Sequence, residues 1–432
     1  MQKIIEMCTR VEGHGDVKFL VQNDEISEVE FEISAFRGFE HILVGKKLID
    51  LPKIVSRICG LCHASQTIAS CKSIESMYNI KANPQSVLIR RLLLTGELLK
   101  SHIMHYFFQA LPDLMNIFDL YEKKIDFPQL MNYNPQLTSN VYDLIKIGNE
   151  IDRIFGGRAI HTITPILGGV LYKPIRKNLN LAEKYFIKAI DNLGWIIDHF
   201  INQFSKLKPP IDLTLPQVNY MALNNNRIYD RYEGLLSIRK SLSKYQDLQL
   251  EEYSQYFDKD SALRGIDFVE KEKSYIVGPL ARNNIVEGYG IDEVVKLLSF
   301  FDKNWKNNIL FSSFIRLVEM FVESKKALEI LNDSLLKTIL PLPNLKEINN
   351  LNGFGTVEAP RGTLIHHYRI NRRDILEEAK LFIPTEINIP LINKMLKEYA
   401  QKLYEKEDLT SIKKKVQIIV RAFDPCISCA TH

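Results

Sequence analysis

The chain has 432 residues, 46% hydrophobic and 25% charged, a balance ordinary for a globular protein and long enough for one large domain or two to three smaller ones. Its 56 basic and 52 acidic side chains leave a formal net charge of +4, which argues against a nucleic-acid footprint. No run approaches the roughly 18 apolar residues of a membrane-spanning helix, and the charged and polar residues that follow Met1 do not read as a Sec signal peptide. Six cysteines are too few for a disulfide scaffold at this length and fit a reducing compartment and metal ligation.

In chain order, residues 3–34 read as β structure. Val17, Phe19 and Val21 alternate with Lys18 and Leu20, Asn23-Asp24-Glu25 makes a turn, and Val29, Phe31 and Ile33 alternate with Glu30 and Glu32. The period then becomes helical. Ser86–Phe108 carries apolar pairs at Leu92/Leu93, Leu98/Leu99, Ile103/Met104 and Phe107/Phe108, a face broad enough for a helix packed inside a bundle. Segments 181–206, 291–303 and 309–337 repeat the pattern, and Lys208-Pro209-Pro210 and Leu340-Pro341-Leu342-Pro343 break it. The expected architecture is α+β and helix-dominated: a long helical bundle with small antiparallel sheets contributed by the terminal regions.

Cys59 and Cys62 form one Cys-x-x-Cys pair near the start, and Cys426 and Cys429 form a second just before His432. Thiolates are soft donors that suit nickel, iron, zinc or copper(I). Zinc ribbons separate their pairs by about 15–20 residues, whereas these pairs stand at opposite ends of the chain. Spacing alone leaves a structural zinc and a catalytic metal both open. A thioredoxin-like role is disfavoured, because neither pair sits at a strand-to-helix junction of a βαβ pattern.

With their flanks, Arg57-Ile58-Cys59-Gly60-Leu61-Cys62 and Asp424-Pro425-Cys426-Ile427-Ser428-Cys429, the pairs resemble the catalytic large subunit of nickel–iron hydrogenases. The resemblance implies that Cys59 and Cys426 are terminal nickel ligands. Cys62 and Cys429 would bridge nickel to an iron carrying carbon monoxide and cyanide. Arg10-Val11-Glu12-Gly13-His14 matches the N-terminal signature, which makes Glu12 the candidate proton acceptor and donor. Phe36-Arg37-Gly38-Phe39-Glu40 resembles the segment whose glutamate binds Mg2+; Glu40, His432 and the carbonyl of Leu381 are carried over in that role. Gly355–Leu364 resembles the motif whose arginine hangs over the open side of the cluster, giving Arg361, with Asp424 as its partner. Pro384-Thr385 is similar to the segment that hydrogen-bonds the cyanides. Gly156–Gly169 is also similar; its His161 reads as facing the electron-carrying subunit or, at least as readily, as a satisfied core histidine, and is no catalytic candidate.

Two departures stand out. Position 66, a histidine in most members, is Gln66, which can hydrogen-bond a bridging sulfur but cannot carry a proton at neutral pH, and a histidine stands instead at His63. The chain also stops at His432, where the family's maturation protease normally removes an extension; either this is the processed form, or the gene encodes no extension, as in the sensors.

The resemblance implies one large-subunit domain over 1–432, with a hairpin region at about 1–50, a helical body at about 51–340 and a cluster-binding region at about 341–432. It implies reversible heterolytic cleavage of H2, with electrons passed to an iron–sulfur small subunit. Further electron-transfer subunits would follow, in the cytoplasm or peripheral to a membrane through those partners. The alternative it implies is a regulatory H2 sensor of low turnover, which Gln66 and the end at His432 keep open. A cluster-less homologue in a respiratory complex is disfavoured by the cysteines. The electron acceptor is set by other subunits.

Overall fold

Alternation decides the N-terminus. In the computed structural model, which describes residues 2–35, 37–121, 124–240, 244–259, 266–268, 274–338, 340–345 and 347–431, β2 (Asp16–Gln22) and β3 (Glu25–Glu32) pair antiparallel, with Val17 opposite Phe31 and Phe19 opposite Val29. All four side chains are buried. Asn23 and Asp24 both take positive φ, the backbone of the two-residue turn whose twist matches a hairpin. The hairpin gains a first strand, β1 (Gln2–Met7), paired to β2. The sheet packs on a long helix near the other end of the chain, where Asn393 Oδ1 accepts from Phe31 N at 2.8 Å.

The helical body starts with α1 (His63–Met77) and α2 (Pro84–Met104). Asn83 caps α2 by accepting from Ser86 N at 2.8 Å, and Pro84 sits in the first turn, where a missing N–H costs nothing. The helical run expected through Phe108 does continue, but as a π-helical turn over His105–Ala110. Next come α3 (Pro135–Gly156), α4 (Arg176–Phe204) and α5 (Phe311–Asn332). α2 lies against α3 and α5, and α4 against α3 and α5, sharing an aromatic seam that includes Phe200, Phe301, Trp305 and Phe314. The 291–303 segment is two short pieces, Glu293–Ser299 and Lys303–Lys306. Asp302 ends the first run by capping the second, accepting from Trp305 N at 3.0 Å.

A four-stranded sheet also forms within the helical body, in addition to the sheets expected from the terminal regions. Its order is Tyr275–Ile276 (β7), Asn219–Asn224 (β4), Leu235–Lys240 (β5), Lys244–Leu248 (β6). β4 is buried along nearly its whole length, so it lacks the alternation that marks a half-exposed strand.

The C-terminal region supplies the antiparallel sheet β8 (Asn352–Ala359), β9 (Gly362–Ile370) and β10 (Leu376–Phe382), followed by α6 (Pro384–Tyr404) and α7 (Leu409–Phe423). α1 lies directly on β8. A side chain at Gly353 would meet Ser73 O at 2.2 Å, and one at Gly355 would meet Ala69 O at 2.1 Å. That backbone-to-backbone approach brings the helix following Cys62 against the sheet that leads to the second cysteine pair.

Candidate metal centre

The two cysteine pairs, opposite in sequence, meet in the core. Cys62 is the N-cap of α1, and Cys426 and Cys429 lie on the loop after α7. Their Sγ atoms, with that of Cys59, all lie within 4.8 Å of one another. Cys62–Cys429 and Cys426–Cys429 are each 2.9 Å apart, and Cys426–Cys59 is 3.3 Å. All four are buried and none is in a disulfide. Among the described residues this is the one such group of three or more potential ligands. Sulfurs so crowded, out of water, are stabilised together by a cation, and a four-sulfur donor set fits a thiophilic transition metal. Without a cation, hydrogen bonding from Cys426, then Cys429 and Cys62, favours the thiolate at Cys59 and lowers its pKa, while burial raises those of Cys426 and Cys429.

Both loops are fastened by the backbone. Arg37 Nη1 donates to Ile58 O at 2.7 Å and to Ser428 O at 3.3 Å, and Arg37 N donates to Thr431 O at 2.6 Å. One residue thus spans both pairs. Cys426 N donates to Thr385 Oγ1 at 2.8 Å, placing Pro384 and Thr385, the first turn of α6, beside the second pair. Thr385 keeps its own O–H to donate.

On the deep side, Arg361 occupies the tight loop between β8 and β9, where Ala359 pairs with Gly362. Its Nε donates to Asp424 O at 3.0 Å and Asp424 Oδ1 at 3.1 Å. Burial opposes its charge, but Asp424, Cys426 and Cys59 more than reverse that and hold the guanidinium protonated. Burial likewise opposes the Asp424 carboxylate, and Arg361, His105 and Arg316 together lower its pKa. Arg361 Nη1 and Nη2 are buried with no hydrogen-bond partner among the described residues. Such donors are costly unless something accepts from them. The hairpin turn is held by Arg282, which donates to Ala359 O at 3.1 Å and Pro360 O at 3.0 Å and pairs with Glu319 and Glu358.

On the outer side, Glu12 is half-buried. Its carboxylate accepts from Ser428 N at 3.1 Å and from Ser428 Oγ, and its carbonyl accepts from Ile427 N at 3.2 Å. Gly13 has φ 89°, and a Cβ there would meet Ile427 Cβ at 2.8 Å; only glycine lets the Glu12 segment lie this close to the cysteine loop.

Gln66 Nε2 lies 3.8 Å from Cys429 Sγ, and its Oε1 is 2.7 Å from His366 Nε2. His63 is fully buried and points the other way, 3.5 Å from Asp152 Oδ2 and Lys100 Nζ. His161 has its Nδ1 2.7 Å from Ser56 O, a satisfied histidine.

Glu40 and Leu381 also come together, but around a third residue. Glu40 Oε1 accepts from Leu381 N at 2.7 Å. Lys259 Nζ lies 3.2 Å from Glu40 Oε1 and donates to Leu381 O at 3.2 Å. His432, expected with them, lies outside the described residues. Lys259, Arg37 and Arg282 had no individual sequence signal: each is one basic residue whose partners are distant in the chain. Arg37 alone lies inside a recognised segment.

A profile of the nickel-dependent hydrogenase family matches residues 37–141 and 232–432. A component of the F420-non-reducing hydrogenase vhc of Methanococcus voltae is 28% identical over 453 residues, covering 99% of this chain and 94% of that one. The beta subunit of the NAD-reducing hydrogenase HoxS of Cupriavidus necator is 27% identical over 467 residues, with 99% and 94% covered. Among solved structures, an NAD+-reducing [NiFe]-hydrogenase in its H2-reduced state superposes with a TM-score of 0.92 at 25% identity over 100% of both chains. No helix among the described residues is long and apolar enough to cross a membrane.

Proposed function

Because the chain belongs to the nickel-dependent hydrogenase family, an oxidoreductase family acting on H2, we propose that it is the catalytic large subunit of a working hydrogenase. One observation carries the reading: four buried thiols converge beside a charged Arg361 whose two terminal nitrogens have no partner among the described residues. When bound, a nickel–iron centre with carbon monoxide and cyanide on iron supplies the two-electron chemistry of heterolytic H2 cleavage. Cys59 and Cys426 would hold nickel, and Cys62 and Cys429 would hold nickel and iron together. Arg361, fixed by Asp424, would offer its fork to the centre; a preorganised charged donor in a dry site needs no reorganisation when charge develops. Pro384 and the Thr385 hydroxyl would receive the iron's ligands, and Gln66 would hydrogen-bond the Cys429 sulfur.

Glu12 takes the proton outward. It holds the cysteine loop through Ser428 and is half-buried, so it stands between the buried cysteines and water.

Electrons leave through an iron–sulfur small subunit. The two cysteines outside the centre, Cys8 and Cys71, are buried and inert, each thiol pushed up to about 12 chiefly by burial. The named relatives include both NAD-reducing and F420-non-reducing enzymes, so the acceptor belongs to the partner subunits. In this reading the subunit works in the cytoplasm, a reducing compartment that six free thiols fit.

Gln66 favours a second reading, an H2 sensor, since a neutral amide stands beside Cys429. H2-dependent dye reduction by the purified complex separates the two. Turnover in the ordinary range of about 1–10³ per second supports the enzyme. A rate far below that, with nickel fully loaded, supports the sensor.

A further inference from the structure

We propose that Lys259 takes the place of the divalent cation expected at Glu40, so that an ammonium group, not Mg2+, ties the two ends of this chain together. Lys259 is 3% exposed. Its Nζ lies 3.2 Å from Glu40 Oε1, 3.2 Å from Leu381 O, and 3.2 Å from each Glu386 oxygen. An ammonium carries three donors, and here they face three acceptor groups from three separate elements: the short helix Phe39–Leu43, the end of β10 and the first turn of α6.

Mg2+ does not fit this arrangement. It demands near-octahedral oxygens at 2.0–2.1 Å and keeps several waters. Two of the groups expected to bind it, the Glu40 carboxylate and the Leu381 carbonyl, are both taken by Lys259, and Glu40 Oε1 also accepts from Leu381 N. A dication bound to both would sit against a buried ammonium, with like charges in a medium that screens them weakly. With Lys259 in place, one cation stands between two carboxylates, so each buried carboxylate has a cationic neighbour.

The consequence reaches the metal centre through position, not chemistry. Lys259 pins Glu386 in the first turn of α6, and the neighbouring Thr385 accepts from Cys426 N. Lys259 is therefore a positioning residue for the second cysteine pair.

The test is metal analysis of the purified hydrogenase complex, exchanged from Mg2+-containing into Mg2+-free buffer. The expected result is substoichiometric magnesium with nickel retained, and thermal stability indifferent to added Mg2+. One magnesium per chain surviving the exchange would overturn the proposal. Lys259→Gln should unfold at a lower temperature than the wild type and be partly rescued by Mg2+; a variant as stable as the wild type without the cation would also overturn it. Should Lys259→Gln fail to fold, the wild-type magnesium content still decides. The inference rests on the family assignment and not on turnover: nickel content in the same sample reports on the centre, magnesium on this hub.

Discussion

The two sides of the cysteine cluster differ in how completely their polar groups are satisfied. On the outer side, the Glu12 carboxylate is half-buried and already accepts from Ser428 N and Ser428 Oγ. On the deep side, Arg361 is fully enclosed, yet Nη1 and Nη2 have no partner among the described residues. Idle donors on a buried guanidinium call for an acceptor, which in the proposed reading the bound centre supplies. The contrast separates two functions. In the proposed reading the incomplete side receives a ligand, and the complete, half-wet side passes protons.

Removing the floor common to both sides has the largest expected effect. Cys59→Ala or Cys426→Ala should reduce nickel content to background and abolish H2-dependent activity; full nickel occupancy without Cys426 would contradict the ligand assignment. On the outer side alone, Glu12→Gln keeps an acceptor for Ser428 N and removes the titrating oxygen. H2/D+ exchange should fall about 10²- to 10⁴-fold with nickel unchanged, and wild-type exchange would take Glu12 out of the relay. On the deep side alone, Arg361→Lys keeps the charge and loses the fork. Turnover should fall about 10²- to 10³-fold with nickel retained; an unchanged rate would mean that the idle nitrogens serve nothing.

The smallest effect is one of pH, again on the deep side. His102 and His105 are buried behind Asp424, and burial lowers their pKa values to about 4 and about 3. Both are neutral in the folded chain at pH 6, while the unfolded chain begins to protonate them near 6.5. The unfolded state then binds more protons, so stability falls as pH drops from about 6.5 to about 4, by at most roughly 1.4 kcal/mol per unit for each histidine. Urea denaturation at a series of pH values reads this, and replacing His102 by Gln should flatten the slope.

How much of this could be read in advance varied with how local each signal is. The N-terminal hairpin and the long helices follow from short-range patterns: Val17, Phe19, Val29 and Phe31 alternate, and α4 and α5 carry broad apolar faces. The cysteine pairs and the Arg361 loop were legible because several chemically special residues stand together. The central sheet was not, because β4 is buried on both faces and its Asn219–Asn224 run shows no period of two. Lys259 was illegible for a different reason. It is an unremarkable lysine in its own segment, and only folding brings it to Glu40, Leu381 and Glu386. Arg282, which holds the turn bearing Arg361, was hidden in the same way.

The central claim, that the four thiols hold a nickel–iron centre, is tested most directly by an infrared spectrum of the purified metal-loaded protein in the carbonyl and cyanide stretching window. One carbonyl band with two cyanide bands is the predicted result. A blank window from protein carrying a full complement of metal would contradict it and leave a plain four-thiolate site, most simply zinc.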